Sequence, residues 1–153
     1  MTDSKNYCRS DAALGHAVRM LLLGLCEPGC GYSDHDVPQG VWSAVGVEFE
    51  AFLANASKAG DIGPVYSDHD AQQVAHHWIG SRNGEGIGFW SLALDVDLDG
   101  DERAALTRLD KLAKSQGACE LFIDDEGEIN YHSPDYPQWE AAYESAREVY
   151  VYA

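Results

Sequence analysis

Two apolar stripes at helical spacing constrain this chain more than any other feature. Leu14, Val18, Leu21, Leu22 and Leu25 recur three and four residues apart, and so do Val41, Val45, Phe49, Phe52 and Leu53. A stripe of this kind must be buried against another layer of structure. Ser10 and Asp11 supply capping oxygens for the first helix, which is expected to end at Pro28-Gly29. Pro38 suits the first position of the second helix, and the segment 58–64 breaks it. Ser67 and Asp70 resemble a capping box, so a short third helix is expected over residues 68–75.

From His76 the pattern reads differently. The segments 76–82 and 85–90 flank Asn83-Gly84, the dipeptide that best satisfies the positive φ angles of a type I′ turn, which predicts a β-hairpin. Residues 102–116 return to helix, with Leu106, Leu109, Leu112 and Ala113 on one face and Gly117 as the stop. A second hairpin is expected from strands 119–123 and 128–131 joined by Asp124-Asp125-Glu126-Gly127. From Pro137 the chain reads as helix with Trp139, Ala142, Tyr143 and Ala146 inward, although residues 149–152 alternate like a strand. The expected class is α+β: a small antiparallel sheet of two hairpins packed with four to five helices. One domain over residues 1–153 is expected, with helices over 10–75, a hairpin–helix–hairpin core over 76–132 and an acidic C-terminal helix over 134–153.

Twenty-six acidic against ten basic side chains leave a net charge of −16. A composition 45% hydrophobic, with four Trp and eight Tyr, nevertheless supports a real core rather than disorder. The charge excludes an unaided nucleic-acid binder, which needs clustered Lys and Arg to contact phosphate. Attractive partners are basic: a cation, a basic protein surface, or the positively charged groove of a nucleic-acid enzyme. The longest apolar run, residues 20–25, is too short to span a bilayer, and the N-terminus lacks the basic region and cleavage site of a signal peptide. A soluble, intracellular protein is therefore expected. Cys8, Cys26, Cys30 and Cys119 are irregularly spaced and read as free thiols.

Several motifs bear on chemistry. Asp95, Asp97, Asp99, Gly100 and Asp101 fit the first seven positions of an EF-hand loop, yet Leu106 stands where the bidentate Glu belongs. A Ca²⁺ site on Asp95, Asp97 and Asp99 is thus the weaker reading, and a solvated acidic loop the stronger. His76-His77, His69 and His35 suggest zinc, but adjacent histidines on a strand face opposite ways. Tyr-Ser-Asp-His-Asp occurs at 32–36 and again at 66–70, and both copies read as turns or helix starts. Cys26 and Cys30 have three residues between them and no second pair, unlike a zinc ribbon or thioredoxin motif. Gly84-x-Gly86-x-Gly88 lacks the strand-to-helix setting of a phosphate loop, and its glycines are expected to let Trp78, Phe89 or Trp90 lie against neighbouring backbone. No nucleophile occupies a recognisable elbow, and neither catalysis nor a cofactor is expected.

The run from His77 to Trp90, the helix carrying Leu106, Thr107, Ala113, Lys114 and Gly117, and the turn Asp124-Asp125-Glu126-Gly127-Glu128-Ile129 with Tyr131 resemble a widespread group of small uncharacterised bacteriophage proteins. Tyr32-Ser33, Asp36 and the segment 49–52 are similar as well, so the likeness covers roughly residues 32–132. This chain departs from the group at Glu85, commonly a His, in a longer acidic insert over 95–102, and in a tail after Ser133. The resemblance implies phage origin, hence the cytoplasm of a bacterial host, and no particular reaction; small acidic phage proteins are often inhibitors of host defence, including anti-restriction and anti-CRISPR proteins.

Charge geometry completes the expectation. Glu140, Glu144 and Glu148 recur every four residues on one helix face, while Asp95, Asp97, Asp99 and Asp101, followed by Glu102, would line one side of an extended strand or loop. Rows spaced about 6 Å apart can imitate a nucleic-acid backbone and occupy a Lys/Arg groove. The expected function is therefore a non-catalytic, DNA-mimicking inhibitor of a host nucleic-acid-targeting complex, with these eight acids as contacts. The alternatives are a Ca²⁺-dependent binding module on the 95–101 loop, and a phage interaction protein for the virion or host takeover that uses exposed Trp or Tyr. The segment 139–152 would finish the core or form a homodimer face.

Overall fold

The structure is a computed structural model, and it describes residues 11–25, 32–67 and 70–133. Its elements are helices α1 (Asp11–Leu25), α2 (Gln39–Lys58), α3 (Ala71–Asn83), α4 (Phe89–Leu92) and α5 (Gly100–Ser115), followed by strands β1 (Glu120–Ile123) and β2 (Ile129–His132). The α+β class stands: the described residues hold one antiparallel hairpin beside five α-helices and a short 3₁₀ turn at Asp34–Asp36. The expected C-terminal helix, with Glu140, Glu144 and Glu148, lies outside the described residues, as do Cys26, Cys30 and His69.

The two leading stripes do what their spacing requires. Val18, Leu21 and Leu22 of α1 and Val41, Val45, Phe49, Phe52 and Leu53 of α2 are all buried. Pro38 sits one residue before its expected place, as the N-cap, where its carbonyl accepts from the Val41 and Trp42 amides. At the far end Gly60 takes φ 77°, and the Asp61 amide donates back to the Ala56 carbonyl, closing α2 in a Schellman turn. Asp61 then accepts two hydrogen bonds from Arg108 of α5, at 2.9 and 2.7 Å, tying the end of one helix to the side of another.

The hairpin expected over residues 76–90 is instead a helix and a turn. Val74, Ala75, Trp78, Ile79 and Arg82 are buried at helical spacing, and α3 runs through all of them. The expected helix over 68–75 is likewise displaced, beginning at Ala71 and continuing to Asn83. Gly84 has the positive φ, 65°, that a type I′ turn would also need, but here it stops a helix, with its own amide and that of Glu85 returning to the Gly80 carbonyl. The left-handed glycine serves both purposes, and the apolar period decides between them. Residues 85–88 fold back on the last turn of α3 so closely that a Cβ on Gly80 would lie 2.2 Å from the Ile87 carbonyl oxygen. The Ser81 hydroxyl accepts the Phe89 amide at 2.8 Å, and Phe89 enters the core against Phe52, Tyr66 and His77. Gly84 and Gly86, expected to admit an aromatic ring, instead supply left-handed turn positions at φ 65° and 63° with open space beside them, and the close backbone approach is made by Gly80 and by Gly88, whose Cβ would lie 2.7 Å from the Ser81 hydroxyl.

Helix α5 and the β1–β2 hairpin follow their sequence signals. Leu106, Leu109 and Ala113 are buried, and the pairs Glu120–His132, Leu121–Tyr131, Phe122–Asn130 and Ile123–Ile129 set the sheet register. Asp124 shapes the hairpin loop: its carboxylate accepts from the Glu126 and Glu128 amides, both at 2.9 Å, and Gly127 takes φ 81°. Those amides, Glu128 foremost, hold the Asp124 carboxyl below its usual range. In both Tyr-Ser-Asp-His-Asp copies the described serine and last aspartate make the same contact: the Ser33 or Ser67 amide donates to the carboxylate of Asp36 or Asp70 at 2.8 or 2.9 Å.

Candidate partner-binding surface

The acidic segment lies between α4 and α5 and is built by local hydrogen bonding. Asp99 caps α5: its carboxylate accepts the Glu102 amide at 2.7 Å while the Glu102 side chain accepts the Asp99 amide at 3.2 Å. Upstream, the Asp95 carboxylate accepts the Asp97 amide at 2.9 Å, and the Leu98 amide returns to the Asp95 carbonyl. Asp95, Asp97, Asp99 and Asp101 are exposed and Glu102 is half-buried. They form a clustered acidic turn and helix start. The even row of an extended strand is absent, because the turn at 95–98 folds the backbone on itself. Arg103 reaches back from α5, its guanidinium donating to the Ala93 and Asp95 carbonyls at 3.2 and 2.8 Å. One positive charge therefore stands inside the acidic segment and fixes its shape.

Asp99 and Glu102 are occupied with each other's amides, and Asp95 with that of Asp97. Among the described residues, no three His, Cys, Asp or Glu side chains come together in a way that would hold a metal ion. No helix is long and apolar enough to cross a membrane among them either.

The histidines are placed by α3. His76 faces α1, its Nδ1 2.9 Å from His16 Nε2, whereas His77 turns inward, its Nδ1 2.8 Å from the Tyr66 hydroxyl. Adjacent residues diverge on a helix as they do on a strand, so the two rings take different hydrogen-bond partners, although they still meet edge-on with centroids 5.8 Å apart. Burial, then the neighbouring His76, pushes the His77 imidazole down to about 4. The same two causes, with Arg19 added, lower His16. The consequence for stability has a definite sign. Between pH 6.5 and about 4 the unfolded chain takes up a proton that the folded His77 refuses, so stability is full above 6.5 and falls as pH drops through that window. Urea unfolding is expected to lose about 1–3 kcal/mol from pH 7 to pH 4.5 at this site. H77Q should flatten that slope; an equally steep decline in H77Q would assign it elsewhere.

An open groove of about 640 Å³ runs between α1, α3 and β1, lined among others by Leu21, Leu25, His76, Ile79 and Leu121. Cys119 sits at its edge, buried and unpaired with another cysteine, and burial pushes its thiol above the ordinary range. A thiol so shifted is a poor nucleophile near neutral pH.

A polar cluster that sequence reading did not anticipate locks the elements behind these surfaces. Arg82 uses all five guanidinium N–H donors: Nε to the Gly117 carbonyl, Nη1 to Glu48 Oε1 and the Tyr131 hydroxyl, and Nη2 to the Gln116 carbonyl and the Ser133 hydroxyl. The Tyr131 hydroxyl donates in turn to Glu48 Oε1 at 2.6 Å. Gln116 extends the cluster, accepting from the Trp78 indole at 2.7 Å and donating to the Glu48 carbonyl at 2.8 Å. The side chains of Arg82 and Glu48 are both 0% exposed. Two such charges are tolerated because they are paired, with all five Arg82 donors and Glu48 Oε1 engaged. The pair joins the middle of α2 to the end of α3, with β2 and the chain after α5 closing over it. This is a fold-holding core, sealed from any ligand. No protein-family model, no curated protein and no solved structure matches this chain.

Proposed function

We propose that this protein is a phage-encoded, non-catalytic inhibitor of a bacterial nucleic-acid-targeting defence complex, of the anti-restriction or anti-CRISPR kind, acting in the host cytoplasm. It blocks a basic surface of that complex with its own acidic one. The observation that carries this reading is the exposed cluster Asp95, Asp97, Asp99 and Asp101, held in shape by Arg103 on a chain of net charge −16. A field of this sign repels nucleic acid and anionic lipid and attracts a Lys/Arg groove, accelerating encounter with it. Glu140, Glu144 and Glu148 are proposed to add to that field.

The test is capture of a purified defence nuclease complex by the immobilised protein across a salt series. Exposed charges are screened over about 10 Å at 0.1 M salt, so capture by the wild type should weaken steeply with salt. Neutralising Asp95, Asp97 and Asp101 together, all outside the α5 capping box, should reduce capture at low salt at least about tenfold, each lost close charge contact contributing on the order of 1 kcal/mol. Capture by the neutralised protein equal to the wild type would count against the acidic segment.

A further inference from the structure

The stretch from Ile87 to Val96, which runs into the acidic segment, carries an unusual share of the exposed large apolar side chains. Among the described residues seven large hydrophobic side chains are exposed, and four of them, Ile87, Trp90, Leu94 and Val96, fall within ten positions of the chain. Scattered single exposures are ordinary; four within ten consecutive positions distinguish this stretch from the rest of the described chain. Leu94 is 71% and Val96 87% exposed, and they alternate with Asp95 and Asp97.

Their exposure does not come from a loose loop. Leu92, Ala93 and Leu98 on either side pack against the core, and Arg103 holds the backbone carbonyls of Ala93 and Asp95. The Leu94 and Asp95 amides return to the Ser91 and Leu92 carbonyls, extending the turn out of α4. Residues 94–97 are thus presented outward from a fixed backbone, and a presented surface binds without the entropic cost of ordering it.

We infer that residues 87–97 form a mixed docking face, an apolar centre of Trp90, Leu94 and Val96 edged by Asp95 and Asp97, whose occupant is a basic protein surface carrying aliphatic side chains. Charge complementarity selects the occupant. A second copy of this chain would bring −16 against −16, and nucleic acid or an anionic membrane would bring phosphate against carboxylate. A purely ionic partner such as a polyamine would leave Leu94 and Val96 in water. A basic amphipathic surface satisfies both halves, covering the apolar centre while its Lys or Arg side chains meet Asp95 and Asp97. The inference rests on the proposed basic target and adds that recognition has a salt-resistant, apolar component.

The experiment uses two synthetic helical peptides of equal length and equal lysine content, one with leucine and one with serine on the face opposite its lysines. Fluorescence anisotropy against the full chain should show the leucine–lysine peptide binding at least about tenfold more tightly than the serine–lysine peptide, the gain expected from burying two aliphatic side chains. That preference should survive 0.5 M salt and vanish in the double variant L94S/V96S. Because both side chains are largely exposed, the variant should retain the wild-type circular dichroism. L23S, at a separate exposed leucine on α1, should keep the preference. Equal binding of the two peptides by the wild type, or a preference undiminished in L94S/V96S, would overturn the docking face. These readings are independent of any defence assay, so a failed defence assay beside a lost preference in L94S/V96S would overturn the inhibitor reading alone.

Discussion

Replacing Arg82 with leucine is expected to cost about 3–5 kcal/mol, because it leaves the Glu48 carboxylate buried opposite an apolar group. Glu48 Oε2 already has no hydrogen-bond partner among the described residues, so Oε1, bonded to Arg82 and the Tyr131 hydroxyl, carries the compensation for both oxygens. The substitution also strips donors from the Gln116 and Gly117 carbonyls and from the Ser133 hydroxyl. Against a typical total stability of about 5–15 kcal/mol, such a loss unfolds much of the population or lowers the Tm by roughly 6–20 °C. R82K should fall between, since an ammonium keeps the charge but cannot supply five donors in a planar fork. Removing both charges in R82L/E48L should recover part of the loss, which distinguishes an orphaned charge from lost packing over Trp78, whose ring centroid lies 5.2 Å from the guanidinium carbon. Urea unfolding followed by circular dichroism measures all three; R82L within 1 kcal/mol of wild type, on the order of a surface substitution, would contradict the account.

The second large effect concerns a single methyl group. Gly80→Ala would place a Cβ 2.2 Å from the Ile87 carbonyl oxygen and 2.8 Å from its carbon, positions that only backbone movement could relieve. Alanine improves helix propensity by about 1 kcal/mol, and overpacking against fixed backbone costs about 1–3 kcal/mol or more. Overpacking wins here because residues 85–88 cannot retreat without withdrawing Phe89 from its place between Phe52 and Tyr66. G80A is therefore expected to lower stability by about 2 kcal/mol and to disturb the face that begins at Ile87. The control is Gly40→Ala in α2, where a Cβ meets nothing within 4 Å. That change should be neutral or stabilising by up to about 1 kcal/mol. Equal effects from G80A and G40A would show that the turn is not packed as described.

Where a segment's own residues dictated its structure, reading the sequence sufficed. The stripes of α1 and α2 and the Asp124 loop each rest on side chains within a few positions of one another; the Asp99–Glu102 capping box is equally local, and it starts α5 at Gly100, two residues before the expected 102. Asn83-Gly84 misled because a left-handed glycine suits a hairpin and a helix end alike, and the buried spacing of Val74, Ala75, Trp78 and Ile79 was the signal that could have resolved it. The Glu48–Arg82 pair spans 34 positions and involves residue types that are ordinarily exposed, so nothing local announced it. Exposure of the acidic segment was legible from composition. Its folded shape was not, since that depends on Arg103 reaching back to carbonyls eight and ten residues earlier. For the same reason, Leu94 and Val96 could not be separated from buried Leu106 and Leu109 by residue type alone.

The claim that the acidic segment is the working surface is tested most directly in cells. Bacteria carrying an active restriction or CRISPR system, and expressing either the wild-type chain or the form neutralised at Asp95, Asp97 and Asp101, would be challenged with a targeted phage and scored for plating efficiency. The account predicts that the wild type restores plating on at least one such host and that the neutralised form, equally abundant and equally folded, does not. Plating restored to the same degree by both proteins would contradict it.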